Sequence, residues 1–306
     1  MALQLILGNA GAGKSHYIFE KIIQESMEHP TKQYLIIVPE QFTMQTQKAL
    51  VEMHPGKGIL NIDILSFERL AYRVFEETGG DNRKVLEDTG KSLVLRKLAE
   101  EKKDELTLLG GSLRKLGYIS EVKSLLSEFV QYRIEPEDLT QIMEQNKSNP
   151  QLYFKLKDMK VIYESFRQYL KDTYLTAEEL LKALEDTVEQ SRSVRNSVIV
   201  LDGYHGFTPI QLGLIGRLLT LTDELYVTMT LDHREEPFQM EAEHQLFYAT
   251  KKTIQDLKKV AEQTGVEIRK PIMLGKDKIW RYKDAPALRF LEEHIYRHSR
   301  RFWNEE

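Results

Sequence analysis

Residues 3–23 read LQLILGNAGAGKSHYIFEKII, and this stretch decides the fold. Leu3–Leu7 is a short, almost continuous apolar run, which predicts a buried strand. Gly8, Asn9, Ala10, Gly11, Ala12, Gly13, Lys14 and Ser15 follow, fitting G-x-x-x-x-G-K-[ST] at every fixed position. A helix is expected next. In that setting the glycines let the loop wrap a phosphate with backbone N–H groups, while the helix aims its positive end at the same anion. Lys14 is expected to reach the β- and γ-phosphates, and Ser15 to offer a hydroxyl to Mg²⁺. These eight residues are the candidate ATP contacts.

Working outward, QYLIIVP at 33–39 predicts a second strand ended by Pro39, and residues 42–53 a helix. Residues 59–65 read as a third strand, followed by a helix closed by Gly79 and Gly80. Strand–helix alternation is the signature of an α/β fold with a parallel sheet. From about residue 86 to 190 the texture changes to amphipathic helical segments: TGKSLVLRKLAEEKKDEL, YISEVKSLLSEFVQYR, PEDLTQIMEQN, LYFKLKDMKVIYESFRQYL and TAEELLKALEDTVEQS. Ile119, Val122, Leu125, Leu126 and Phe129 recur at helical spacing and read as core. Strands return at 197–204 and 224–232, with a helix at 208–221 between them. Further helices are expected at 243–265, stopped by Gly265, and at 287–299. The expected organisation is the first part of a P-loop (RecA-like) domain over 1–85, a helical insertion at 86–190, and the remainder of that domain with the start of a following region over 191–306.

The composition narrows the chemistry. The 306 residues contain no cysteine, which excludes a disulfide scaffold, a thiolate metal site and a cysteine nucleophile within the chain. The net charge of −4 indicates no strong global attraction to a polyanion, although a local basic groove can sit on an acidic body. No window approaches 18 apolar residues and no signal segment opens the chain, so the expected location is cytoplasmic, with no membrane partner.

A P-loop ATPase needs an acidic residue at the end of a neighbouring strand for Mg²⁺, and usually a carboxylate to activate water. The candidate is SVIVLDGYHGFTPIQ, where Asp202 follows an apolar run. The next residue is Gly203, which has no side chain to act as a base. The sequence therefore predicts Mg·ATP binding with Ser15 and Asp202 at the metal. It names no catalytic residue for hydrolysis.

Several segments resemble superfamily 1 helicases of the UvrD/PcrA type. VPEQFTMQTQKAL (38–50) occupies the place of an early motif there, and ILSFERLAYRVF (64–75) is similar to their T-x-H-x-F-A segment. IYESFRQYL and YLTAEELL (162–181) resemble the approach to the acidic motif. LDGYHGFTPIQ (201–211) resembles D-E-x-Q-D-x-x-x-x-Q, keeping Asp202 and Gln211. Together with GNAGAGKS they look more closely like the N-terminal part of the AddB family, over essentially the whole chain. The AddB family forms one subunit of the bacterial AddAB helicase–nuclease, which processes double-strand DNA ends for recombinational repair. The resemblance implies ATP, Mg²⁺, DNA and a motor helicase–nuclease subunit of the AddA type as partners in a heterodimer. It also implies that the chain is an N-terminal fragment, because the family's nuclease domain and cysteine-bound 4Fe-4S cluster have no counterpart here. By the same resemblance Gln41, Phe42, Thr43, Ser66 and Phe67 are candidate DNA contacts. The chain departs from the helicases at Gly203, His205 and Gly206, where they carry Glu, Gln and Asp, which implies weak or absent hydrolysis.

Other groups weigh less. His294 and His298 lie one helical turn apart, but a solvated basic face with Arg297, Arg300, Arg301 and Trp303 is the simpler reading. Asp232, Glu235 and Glu236 read as a polar loop after a strand. Two alternatives stay open: a stand-alone P-loop ATPase or small-molecule kinase, and a DNA- or partner-binding scaffold with a vestigial loop.

Overall fold

The computed structural model describes residues 1–81, 83–111, 116–276, 279–295 and 301–303. The first apolar run forms β1 (Ala2–Gly8), every residue of it buried, and the loop leads into α1 (Lys14–Glu28). β2 (Tyr34–Ile37), α2 (Thr43–Met53), β3 (Ile62–Leu65) and α3 (Phe67–Thr78) follow. Then come β4 (Lys84–Val85), α4 (Asp88–Glu101), α5 (Leu116–Gln131), α6 (Pro136–Gln145), α7 (Pro150–Leu170), β5 (Tyr174–Leu175) and α8 (Ala177–Thr187). The chain continues with β6 (Val198–Leu201), α9 (Pro209–Leu221), β7 (Glu224–Thr230), α10 (Tyr248–Thr264), β8 (Glu267–Ile268), β9 (Ile272–Leu274) and α11 (Pro286–His294).

The chain divides into two compact units. The first comprises residues 1–70, 188–207 and 215–306. It holds a seven-stranded sheet in the order β3-β2-β6-β7-β1-β8, with β9 also on β1. Among the described residues every pairing is parallel. This is an α/β fold. The strands are buried on both faces, so they read as continuous apolar runs rather than alternating ones. Ile18, Phe19, Ile22 and Ile23 recur at helical spacing on α1 and pack with Ile6, Ile36, Val200 and Tyr226 of the sheet. Each such fully buried aliphatic side chain stabilises by about 1.5–3 kcal/mol relative to exposure.

The second unit comprises residues 71–187 and 208–214. Its core joins Leu95 and Leu98 of α4, Ile119, Val122, Leu126 and Phe129 of α5, and Ile162 and Phe166 of α7. The expected α5 stripe is therefore core. The helix starts follow local rules. α6 opens with a reciprocal capping box between Glu135 and Asp138 and with Pro136 in its first turn. Asn149 accepts from Leu152 N to cap α7. Asp158, fully buried on α7, accepts from the backbone N–H groups of Thr107, Leu108 and Leu109 at 2.8, 2.6 and 2.8 Å, and so holds the turn after α4. One two-residue parallel pair joins β4, just ahead of the stretch that reads as helical, to β5 within it.

The helix expected at 243–265 begins at Tyr248. The fully buried Lys251 draws Glu235 and Glu241 back to 2.8 and 2.7 Å, which ties the preceding residues into a loop. Gly265, at φ 69°, ends α10 in the left-handed conformation that glycine adopts without strain. Arg297, His298 and Arg300 lie outside the described residues.

Candidate functional site

β1, ending at the sheet's C-terminal edge, delivers Gly8 to the loop. Ala12 N donates to Asn9 O at 3.1 Å and closes its first turn. Gly13 sits at φ 90°, and Tyr17 N donates back to its carbonyl to start α1. α1 has no side-chain cap and no acidic residue in its first turn, so the positive end of the helix is not neutralised locally. The eight motif residues thus form one loop at a helix N-terminus.

Lys14 folds over this loop. Its Nζ donates to Gly8 O at 2.9 Å and Asn9 O at 3.0 Å. Burial lowers its pKa to about 8, the Asp202 carboxylate opposes that shift, and the Arg281 guanidinium adds to it. Two cations thus lie close to one carboxylate, an arrangement that a polyanion relieves.

Asp202, at the end of β6, is 6% exposed. Ser15 Oγ donates to its Oδ1 at 3.1 Å, and Thr228 Oγ1 of β7 donates to the same oxygen. β6 lies beside β7 and β7 beside β1, which is why residues so far apart in sequence meet. A hydroxyl and a carboxylate are the hard oxygen donors that Mg²⁺ takes alongside phosphate and water. Ser15 and Asp202 therefore fit that ion with few protein ligands. Among the described residues no cluster of three or more His, Cys, Asp or Glu offers another metal site. Gly203 adopts φ 80° and faces Pro39 and Phe42. An open groove of about 500 Å³ runs past Ser15, Phe42, Gln45, Asp202, Gly203 and Arg281.

The five candidate DNA contacts divide by exposure. Gln41 and Phe42 are exposed, in a single 3₁₀ turn, and Phe42 lines the groove. Thr43 is buried and its hydroxyl donates to Glu40 O. Ser66 is buried, and its Oγ accepts from Arg69 N at the start of α3. Phe67 is 6% exposed and packs on Tyr204, with ring centroids 5.5 Å apart. The structure gives these last three local structural work.

Sequence reasoning missed the residues that close over the loop from the far end of the chain. β9 pairs with Ile6–Gly8. Arg281 N donates to Gly11 O at 3.2 Å, and a Cβ on Gly11 would collide with Arg281 Cβ. A Cβ on Gly13 would come within 3.1 Å of Trp280 Cδ1. Asn9, 2% exposed, donates through its amide to Asp232 at 3.0 Å and to Glu292 of α11 at 2.9 Å. Asp232 is fully buried and chelated by Arg234, so it belongs to the loop's support rather than to a free acidic patch. His294 stacks on Phe290, and its Nδ1 pairs with Phe290 O at 2.7 Å. No local sequence pattern links positions 9 and 292.

Among the described residues no helix is long and apolar enough to cross a membrane. Comparison with known proteins finds the family model described as "ADDB, N-terminal" matching residues 5–292. The chain is 43% identical, over its whole length, to an ATP-dependent helicase/deoxyribonuclease subunit of Lachnoclostridium phytofermentans, of which it covers 27%. It is 33% identical to the protein of that name from Caldanaerobacter subterraneus subsp. tengcongensis, over its whole length and 26% of the relative. Against the Clostridium acetobutylicum protein the identity is 32% over 97% of this chain and 25% of the relative. The chain thus spans about a quarter of the curated relatives it matches, and with the family model covering nearly all of it, it belongs to the AddB N-terminal family.

Proposed function

We propose that this chain is the nucleotide-binding, helicase-like region of a helicase–nuclease subunit that processes DNA ends, and that it binds Mg·ATP with little or no hydrolysis of its own. The observation that carries the reading is the meeting of Lys14, Ser15 and Asp202 at the uncapped start of α1. The loop from Gly8 to Ser15 receives the phosphates on its backbone N–H groups, and Lys14 exchanges its two carbonyl partners for phosphate oxygens. Ser15 and Asp202 hold Mg²⁺, which supplies charge neutralisation when bound. Arg281 adds a second cation at the groove. No carboxylate is available at position 203 to activate water, and this supports binding without turnover.

DNA is the second ligand. Phe42 and Gln41 form the exposed part of the proposed strand contact, beside the nucleotide groove. A stacking aromatic contributes about 1–3 kcal/mol per base. Phe42→Ala is expected to weaken single-strand binding by that amount and leave the fold intact, because its ring is 42% exposed. Fluorescence anisotropy with labelled oligonucleotide measures it. The partner is a motor subunit of the AddA type. The relatives' names, each that of one helicase/deoxyribonuclease subunit among others, support that assignment.

The test is the thermal shift of the protein with Mg·ATP, beside Lys14→Ala, with phosphate release read in parallel. Stabilisation lost in Lys14→Ala, with no turnover even on adding single-stranded DNA, is the expected result. Brisk DNA-independent turnover would make the chain a small-molecule enzyme instead. No shift at all would make the loop a structural remnant.

A further inference from the structure

Three pieces of chain that follow α10 converge on the phosphate loop. β9 runs parallel to the last three residues of β1, and Leu274 O lies 2.7 Å from where a Gly8 Cβ would be. Gly275, at φ 93°, follows, and a Cβ there would come within 3.1 Å of Ala12 Cβ and 3.4 Å of Asn9 Oδ1. The 3₁₀ turn Trp280–Tyr282 lies across Gly11 and Gly13, with its Arg281 amide on Gly11 O. α11 then places Glu292 on the Asn9 amide, which it shares with Asp232. The glycines of the motif therefore serve two purposes. They leave the loop without side chains that would obstruct a phosphate, and they admit Arg281 against Gly11 and Trp280 against Gly13.

Asn9 is the pivot. Both of its amide hydrogens are engaged by carboxylates, and its Oδ1 accepts from His233 N at 3.3 Å. It also supplies one of the two carbonyls that Lys14 grips. A pull on Asn9 from α11 is thus one residue removed from the lysine that meets the phosphate. A loop pre-shaped by such contacts binds more tightly, because less order has to be imposed on binding.

We propose that these pieces form a clamp that sets the loop's affinity for nucleotide, with Glu292, acting through Asn9, and Trp280, acting on Gly13, as its positioning residues. The proposal rests on the nucleotide-binding reading above and adds residues that lie 265 and 277 positions beyond Ser15, the last of the motif. By reciprocity, whatever the clamp does for ATP affinity, ATP does for the clamp. Nucleotide binding therefore changes the surroundings of the Trp280 indole, one of only two tryptophans in the chain.

The experiment measures Mg·ATP binding by titration calorimetry and Trp280 emission in a Trp303→Phe background. Loss of a hydrogen bond to a charged group predicts that Glu292→Ala binds ATP roughly tenfold more weakly. Glu292→Gln keeps an oxygen acceptor for Asn9 and is expected within about threefold of the wild type. Saturating ATP is expected to shift Trp280 emission. Should Glu292→Ala not fold, Trp280→Ala carries the same test, since that ring is 55% exposed. An unchanged dissociation constant in both variants, or unchanged emission in a protein that binds ATP, overturns the clamp alone. No ATP binding by the wild type overturns the clamp and the nucleotide reading together.

Discussion

Asp158 in the helical unit and Asp202 in the sheet unit are both withdrawn from solvent, at 0% and 6% exposure. Their partners differ. Asp158 accepts from three backbone N–H groups of one turn, donors that are fixed once the chain is folded. Asp202 accepts from the hydroxyls of Ser15 and Thr228, which can rotate away without moving the backbone. The first carboxylate is committed to holding a turn. The second, on the function proposed above, is the one free to turn to a cation. Burial alone thus does not mark a functional acid; the exchangeability of its partners does.

The largest expected effect sharpens this contrast. Asp158→Ala takes the acceptor from three backbone donors of one turn, that of Leu109 buried, and is expected to cost about 3–5 kcal/mol of stability. Asp202→Ala is expected to cost about 1–2 kcal/mol, since both hydroxyls can find new partners. Urea unfolding of the two variants reads the difference, and equal costs would break the comparison. Next in size is Lys14→Ala. It should remove the stabilisation that ATP gives, about 2.7 kcal/mol at a hundredfold excess over the dissociation constant. Without nucleotide its melting temperature should fall little, because the wild-type ammonium is itself held in an unfavourable burial.

The acid–base prediction is smaller. In the folded protein the Lys14 pKa, at about 8, lies below its ordinary 10.5. The unfolded chain therefore holds the proton longer, so this group's contribution to the stability of the free protein should rise from pH 8 to 10.5 and be level below 8. Nucleotide affinity runs the other way. Phosphate favours the ammonium, so above pH 8 binding must take up a proton and should weaken about tenfold per unit. Calorimetry in buffers of different ionisation enthalpy would count that proton. The smallest effect concerns Gly203. Its φ of 80° strains any side chain, so Gly203→Glu should cost about 1 kcal/mol and restore no turnover. Steady ATPase activity in that variant would show that only the missing carboxylate separates this site from an active motor.

Much of the sheet unit is legible in the sequence. LQLIL, YLII, VIVL and ELYVTMT become β1, β2, β6 and β7 because doubly buried parallel strands must be apolar throughout. The stripe of α5 is legible for the same reason at a different period. β4, β5, β8 and β9 are only two or three residues long, too short to carry a pattern, and exist because a partner strand supplies their hydrogen bonds. Within the site, Gly8–Ser15 and Asp202 announce themselves through residue type and a neighbouring apolar run. Trp280, Arg281 and Glu292 do not, because a contact made across the fold leaves no local spacing. The local hydrogen bonds of Thr43 and Ser66 are not legible either, because a side chain that caps a turn and one that meets a ligand look alike in sequence.

The position of β1 also bears on how the protein is made. It is synthesised before the strands it pairs with, yet these are β7, β8 and β9, which follow more than 200 residues later. β2 and β3, by contrast, pair across a short interval. At ribosomal speeds of about 5–20 residues per second, β1 waits roughly 10–45 seconds for β7 to emerge. During that time its apolar residues have no sheet to join. A nascent chain halted before β7 is therefore a natural client for a chaperone, and slow codons placed between β1 and β7 would lengthen its exposure.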